Sequence, residues 1–153
     1  PNILAFDAET PEEYLLSGEA WVGVVYNGNA ALLERENNNF VYVLPSEGAG
    51  LWFDNLAIPR DAPHADAALA FINFVLQPEN AAVLVQEYPY STPNAKALTY
   101  LQENNAGFYQ IYANSFASNP PQEALANAEV VKQVNPIVAN LYEEFWLAVK
   151  EKN

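Results

Sequence analysis

A tryptophan and an acid stand two residues apart in "LWFDNLAIP" (51–59), a segment that otherwise has the composition of a buried β-strand. Strand alternation would place Trp52 and Asp54 on the same face. A carboxylate beside an indole can hold an ammonium group through a charge-assisted hydrogen bond and a cation–π attraction of about 0.5–2 kcal/mol. The alternative is an acid at a strand end that accepts a hydrogen bond from a backbone N–H. In either case a buried carboxylate needs a partner.

Two tyrosines stand where ligand crevices are commonly lined. Tyr26 ends the apolar run "WVGVVY" just before "NGN", and loops at strand ends line such crevices in open α/β sheets. Tyr90 lies in the proline-rich loop "YPYSTPN", which is rigid enough to present a side chain to a cleft. For each tyrosine, ordinary packed aromatic surface is the alternative.

Other candidate chemistry is weak. The sequence has no cysteine and one histidine, which argues against metal sites, and we expect no cofactor. His64 precedes a helix and is interpreted as a capping or solvent-facing residue. Glu143 and Glu144 are adjacent, so they point about 100 degrees apart on a helix and cannot form a facing carboxylate pair. No phosphate-binding glycine loop or nucleophile elbow is found.

The elements that must position these residues alternate between strands and helices. "ETPEEYLLSGEAW" predicts a short helix, with Thr10 as N-cap, Pro11 at the first helical position, Glu13 in capping-box register and Gly18 as the stop. Three strands are predicted at 21–26, 40–45 and 51–59. Further helices are predicted from after the "NG" turn to about 36, then at 65–76, 78–87, 95–103 (capped by Asn94) and from 136 to the end.

Packing and class follow from this pattern. Residues 68, 71, 72, 75 and 76 form an apolar stripe through which two helices should pack, and residues 138, 141, 145 and 149 form a similar stripe near the C-terminus. "NNAGFYQIYANSFASNPPQ" (104–122) has no clean period and is expected to be irregular. The class is α/β, a short sheet flanked by helices. Three strands make a thin sheet, so we expect a partner sheet from an upstream segment.

Size and charge limit the possible functions. The 153 residues are 51% hydrophobic, enough for a real core. Nineteen acids against six bases give a net charge of −13, which disfavours nucleic acid and favours cationic small molecules or plain solubility. The chain starts with Pro1 and lacks methionine, so we expect a segment to precede it.

Four blocks resemble the C-terminal half of bacterial spermidine/putrescine (polyamine) receptors of ABC importers, within the extracellular solute-binding proteins. The blocks are "VGVVYNGNA", "LWFDNLAIPRDAPHADAALAFINFVLQPENAA", "YPYSTPN" and "LYEEFW". The resemblance implies part of a two-lobed periplasmic-binding-protein (type II) fold. It assigns 1–50 to the second lobe, 51–60 to a crossover strand, 61–128 to the first lobe and 129–153 to a C-terminal helix returning to the second lobe.

The resemblance also implies site residues. Trp52 would be an aromatic wall and Asp54 an anchor for an amine. Tyr26 stands where family members often have tryptophan, and Tyr90 stands before "STPN", with Ser91 where proline is usual. A polar contact would fall at Gln133, although Lys132 is an equally defensible register.

The implied function is capture of a polyamine and its delivery to a membrane permease, without catalysis. The expected partners are a polyamine ligand, the ABC permease and the N-terminal half of the same protein, with self-association of the isolated fragment and no nucleic acid. The expected location is periplasmic, or extracellular with a lipid anchor. A receptor for another small solute is the nearest rival, and an α/β hydrolytic enzyme is a more distant one.

Overall fold

The computed structural model describes residues 3–151, so Pro1, on which the expectation of a preceding segment depends, lies outside the described residues. The described chain is mostly helical with one small parallel sheet. Its elements are α1 (Pro11–Leu16), α2 (Asn27–Glu36), β1 (Gly50–Leu51), α3 (Ala65–Val75), α4 (Pro78–Glu87), α5 (Ala95–Asn104), α6 (Ala106–Asn114), a 3-10 turn (Gln122–Leu125), β2 (Glu129–Val130) and α7 (Pro136–Glu151).

The helix starts and stops follow the capping residues in most cases. Pro11 opens α1, and Gly18 ends the segment with a φ of 77°, in the left-handed region that favours glycine. Thr10 occupies the N-cap position, but its side chain makes no cap hydrogen bond and donates to Asp7 instead. The predicted capping box is therefore absent. Asn94 caps α5 as predicted, because its side chain accepts a hydrogen bond from the Ala97 N–H at 3.2 Å.

The prediction for 104–122 was wrong, since this segment contains α6. Asn105 caps the helix by accepting a hydrogen bond from the Phe108 N–H at 3.3 Å. Tyr112 on α6 is buried in the main core with residues of α4 and α5. The α6 helix is thus held by packing that the sequence pattern did not indicate.

The three predicted strands were also wrong, although a short sheet flanked by helices is confirmed. Residues 21–26 and 40–45 have no ladder partner among residues 3–151, and pairing in the 51–59 segment stops at Leu51. β1 pairs in parallel with β2 alone, Gly50 opposite Glu129 and Leu51 opposite Val130. Because a strand requires a hydrogen-bonded neighbour, high β-propensity alone leaves these segments extended.

Most of the buried hydrophobic residues described form two clusters. The larger one joins α4, α5 and α6 through Ala81, Ala82, Val85, Ala97, Leu101 and Tyr112. The smaller one places Ala30 and Ala31 of α2 against Ala117. A Ser91 hydroxyl that donates to the carbonyl of the buried Ser118 at 2.7 Å ties the loop after α4 to the chain beside this second cluster.

Much apolar surface lies outside these clusters. Trp21 is 94% exposed and Val24 is 95% exposed. The α3 stripe is only half-buried, with Phe71 and Leu76 exposed, and no residue of α7 is buried. The predicted packing stripes therefore exist on their helices, but Leu141 and Phe145 of the α7 stripe are exposed.

No single helix among the described residues is long and apolar enough to cross a bilayer. Only α3 and α4 taken together pass that test by length and composition, and they are bent by 69° relative to each other.

Candidate functional site

The start of α2 is the centre of the candidate site. Tyr26 is the N-cap residue, with extended backbone angles of −66° and 143°, so its side chain leaves the helix at the first turn. Its ring meets Trp52 edge-on, with centroids 5.3 Å apart and planes at 86°. This is a favourable aromatic geometry. The two rings remain 43% and 44% exposed, so their pair forms a surface wall and does not belong to a buried core.

Tyr90 reaches the same helix start from the loop after α4. Its ring lies directly on Gly28, where a Cβ atom would collide with the ring. The Tyr90 hydroxyl donates to Asn29 Oδ1 at 3.3 Å. Glycine is therefore required at position 28 by the close approach of the aromatic ring.

The loop that carries Tyr90 is fixed by buried groups. The Tyr112 hydroxyl donates to the Tyr90 carbonyl at 3.1 Å and accepts from the Thr92 N–H at 3.0 Å. Tyr112 is buried, and burial raises the pKa of its phenol. The ring of Tyr90 is thus held by the α4–α6 core on one side and by α2 on the other.

Trp52 and Asp54 follow β1 directly. The Trp52 ring lies 3.6 Å from the position that a Cβ on Gly50 would take, so the indole folds back over the strand. The Asp54 side chain is exposed and accepts no hydrogen bond from residues 3–151. The structure therefore does not contain the alternative arrangement, in which the Asp54 carboxylate accepts a hydrogen bond from a backbone N–H.

Neighbouring charges act on the Tyr90 hydroxyl. Burial raises the pKa of Tyr90, and the negative charges of Tyr26 (as a phenolate), Asp54 and Glu12 raise it further. The Tyr90 hydroxyl therefore lies within electrostatic reach of two carboxylates on separate segments. Such a site disfavours an additional anion and favours a cation.

Gln133 is not joined to this cluster. It is exposed in the segment between β2 and α7, and no hydrogen bond or ring contact links its side chain to Tyr26, Trp52 or Tyr90. Lys132, the alternative register, is exposed beside it. His64 is exposed at the N-cap of α3 without a capping side-chain hydrogen bond, and Glu143 and Glu144 are exposed on α7.

Sequence reasoning did not find three residues of the cluster. Gly28 supports the Tyr90 ring, Asn29 accepts the Tyr90 hydrogen, and Asn29 Nδ2 donates to Glu12 Oε1 at 2.9 Å. The sequence pattern at 27–29 predicts a turn before the helix, whereas these residues form the first turn of α2. Glu12 lies on a different helix, so only the packing of α1 on α2 reveals its place.

Two concavities lie beside the cluster without including its Trp52–Asp54 side. One of about 340 Å³ is lined by Tyr90 together with residues of α3 and α4. Another of about 440 Å³ lies between α2 and α6 and contains Arg35, whose guanidinium sits 5.5 Å from the centre of the Phe108 ring. Tyr26, Trp52 and Asp54 are exposed, so they form an open face. Among residues 3–151, no group of three His, Asp or Glu side chains is placed to hold a metal ion.

Comparison with known proteins gives a consistent picture. The sequence model of the bacterial extracellular solute-binding proteins matches residues 4–114. The spermidine/putrescine-binding periplasmic protein of Escherichia coli is 31% identical over 150 residues, which are 98% of this chain and 41% of that protein. The putrescine-binding periplasmic protein SpuD of Pseudomonas aeruginosa is 37% identical over 118 residues, or 71% of this chain and 32% of the relative.

A solved structure agrees with these relatives. A putative spermidine/putrescine ABC transporter protein from Listeria monocytogenes superposes with a TM-score of 0.76 and 36% identity, covering 92% of this chain and 42% of the other. The chain thus spans about two fifths of the length of the relatives that it matches. Its helices and small parallel sheet resemble a fragment of a periplasmic-binding-protein fold, and the chain belongs to the bacterial extracellular solute-binding protein family.

Proposed function

We propose that this chain is part of a receptor that captures a polyamine such as putrescine or spermidine for uptake by an ABC transporter. The observation that carries the proposal is the meeting of Tyr26, Trp52 and Tyr90 around the start of α2, with the Asp54 carboxylate exposed beside them. Relatives named for spermidine or putrescine binding support the choice of ligand.

The chemistry of the ligand matches this arrangement. An alkyl diamine at neutral pH has charged ends and an apolar middle. Aromatic faces can cover the methylene groups and attract the ammonium ends through cation–π contacts, and a carboxylate can hold one end. We assign the aromatic surface to Trp52, Tyr26 and Tyr90, and the anchor to Asp54. Gln133 would join them only after its segment moves toward the cluster.

The lobe assignment is part of the same proposal. Residues 1–50 and 129–153 would belong to the second lobe, 61–128 to the first, and 51–60 would cross between them. The β1–β2 pair supports this division, because it joins Gly50–Leu51 to Glu129–Val130, at the two points where the chain would change lobes. The core of α4, α5 and α6 would then lie entirely in the first lobe.

The exposed apolar surface supports a further partner. The segment at 21–26 and the exposed Leu141 and Phe145 of α7 would be covered by the upstream part of the same protein, which would supply strand neighbours for residues 21–26. Without that part, the fragment would self-associate. In this proposal the complete receptor is periplasmic or lipid-anchored outside the cell, docks on a membrane permease and performs no catalysis.

Titration calorimetry on the complete protein tests this proposal. Putrescine and spermidine should bind with measurable heat, whereas a neutral amino acid should not. Binding of the amino acid alone would favour a receptor for another solute. Hydrolysis of an ester or amide substrate without polyamine binding would favour the α/β enzyme.

A further inference from the structure

Glu12 is a carboxylate beside the candidate site to which the proposed function assigns no role in ligand binding. It lies in the first turn of α1, which packs against α2, and is partly buried. Its Oε1 atom accepts a hydrogen bond from Asn29 Nδ2 at 2.9 Å, and Asn29 Oδ1 in turn accepts one from the Tyr90 hydroxyl. Glu12 is therefore connected by two hydrogen bonds to the aromatic ring that stands over Gly28.

The second oxygen of this carboxylate is in an unfavourable position. Oε2 is buried and has no hydrogen-bond partner among residues 3–151. A buried carboxylate oxygen without a partner loses its hydration and gains nothing in return. By contrast, Asp54 keeps its hydration because it is exposed. Such an uncompensated group is typical of a site that is completed by a ligand.

We propose that Glu12 is a second acidic anchor of the polyamine site, its Oε2 atom accepting an ammonium group of the ligand while Asn29 holds Oε1 in place. The inference rests on the proposed function and deepens it. Asp54 and Glu12 would then hold two different ammonium groups, with the Tyr90 ring near both.

Two further observations agree with this assignment. The charge of Glu12 raises the pKa of the Tyr90 hydroxyl, as does that of Asp54. A carboxylate shielded from bulk water also attracts a cation more strongly, because the effective dielectric constant is lower there. Since Oε2 is shielded, the ligand reaches it when the groups that cover it move aside, while Asn29 keeps Oε1 in place.

The test is calorimetric titration of putrescine into the complete protein and two matched variants. Glu12→Gln preserves the acceptor for Asn29 but replaces Oε2 with an amide nitrogen, which cannot accept from an ammonium group. We expect its affinity to fall by about 10- to 100-fold. Glu13→Gln removes the same charge from the neighbouring exposed position and should leave the affinity within about twofold.

The outcomes separate this inference from the proposed function. If the unaltered protein binds putrescine and the two glutamine variants bind equally well, the second anchor is refuted and the receptor function stands. If the unaltered protein does not bind any polyamine, the receptor function itself fails. The melting temperature of ligand-free Glu12→Gln should not fall, because an uncompensated charge is removed, and a fall that matches the loss of affinity would indicate a purely structural role.

A second variant covers the case in which Glu12→Gln does not fold. Glu12→Asp preserves the charge but withdraws it by one methylene group. It should weaken putrescine binding and shift the preference toward cadaverine, which is one methylene longer. Equal losses for both diamines, or no change for either, would overturn the assignment.

Discussion

Substitution of Gly28 by alanine tests the arrangement of the aromatic site, because the structure specifies what the new methyl group would meet. The alanine Cβ would lie 2.5 Å from Cδ2 and 2.7 Å from Cζ of Tyr90, whereas ordinary contacts lie at 3.4–4 Å. The ring must therefore withdraw by about 1 Å. The hydrogen bond from Tyr90 to Asn29 is already 3.3 Å long and would be lost.

The expected magnitude follows from that loss. One hydrogen bond of this kind contributes about 0.5–1.5 kcal/mol, which corresponds to about a 2- to 12-fold weaker affinity if Tyr90 contacts the ligand. Folding stability should also fall, because the methyl group overpacks the site, although the helix propensity of alanine, up to about 1 kcal/mol over glycine, offsets part of the strain. Calorimetric titration with putrescine and a thermal melt of the complete protein measure both quantities.

Gly107 provides the matched control. It lies in α6, and a Cβ there would have nothing within 4 Å. Gly107→Ala should therefore leave the affinity unchanged and raise stability by up to about 1 kcal/mol. Equal affinities for the two alanine variants would show that the Tyr90 ring is not part of the binding surface.

Three other results are expected. Asp54→Asn should weaken putrescine binding by about 1.5–3 kcal/mol in calorimetry, because an amide does not form the charge-assisted bond. The matched control is Asp61→Asn, at an exposed position between β1 and α3, which should leave the affinity unchanged. Equal affinities of the two variants would refute the anchor. Trp52→Ala should weaken putrescine binding with little change in melting temperature, because the indole is half-exposed. A large fall in melting temperature would instead show that the indole belongs to the hydrophobic core. Tyr90 should ionise above its ordinary pKa of 10.0. The contribution of its neutral phenol to the free energy of unfolding is therefore fully present below pH 10 and is lost as the pH rises through the raised pKa. A difference in tyrosinate absorbance between the unaltered protein and Tyr90→Phe that titrates below pH 10 would contradict this.

The helices were largely predictable because their signals are local. Asn94 and Pro78 stand at the starts of α5 and α4, and the helical periods agree with the observed ranges to within one or two residues. The missed α6 had a similar signal in Asn105, but Gly107 and the absence of a clean apolar period concealed it. Capping residues thus indicate where a helix begins or ends, whereas the formation of a helix such as α6 also depends on tertiary packing.

The strands could not be predicted from the same kind of signal. Residues 21–26 have strong β-propensity, yet a ladder depends on a second segment, and among residues 3–151 none is available to them. The site residues likewise differ in whether a local sequence signal identifies them. Trp52 and Asp54 share a short local motif, whereas the approach of Tyr90 to Gly28 and of Glu12 to Asn29 spans distant parts of the sequence. Such contacts become evident only from the folded chain.

The anchor role of Asp54 can be measured in a crystal structure of the complete protein with bound putrescine, as the distance from a ligand nitrogen to the nearer Asp54 carboxylate oxygen. We expect about 2.7–2.9 Å, the length of a charge-assisted hydrogen bond, with the methylene groups against Trp52. A ligand whose nitrogens both lie more than about 6 Å from Asp54, beyond the reach of a direct ion pair, would contradict it.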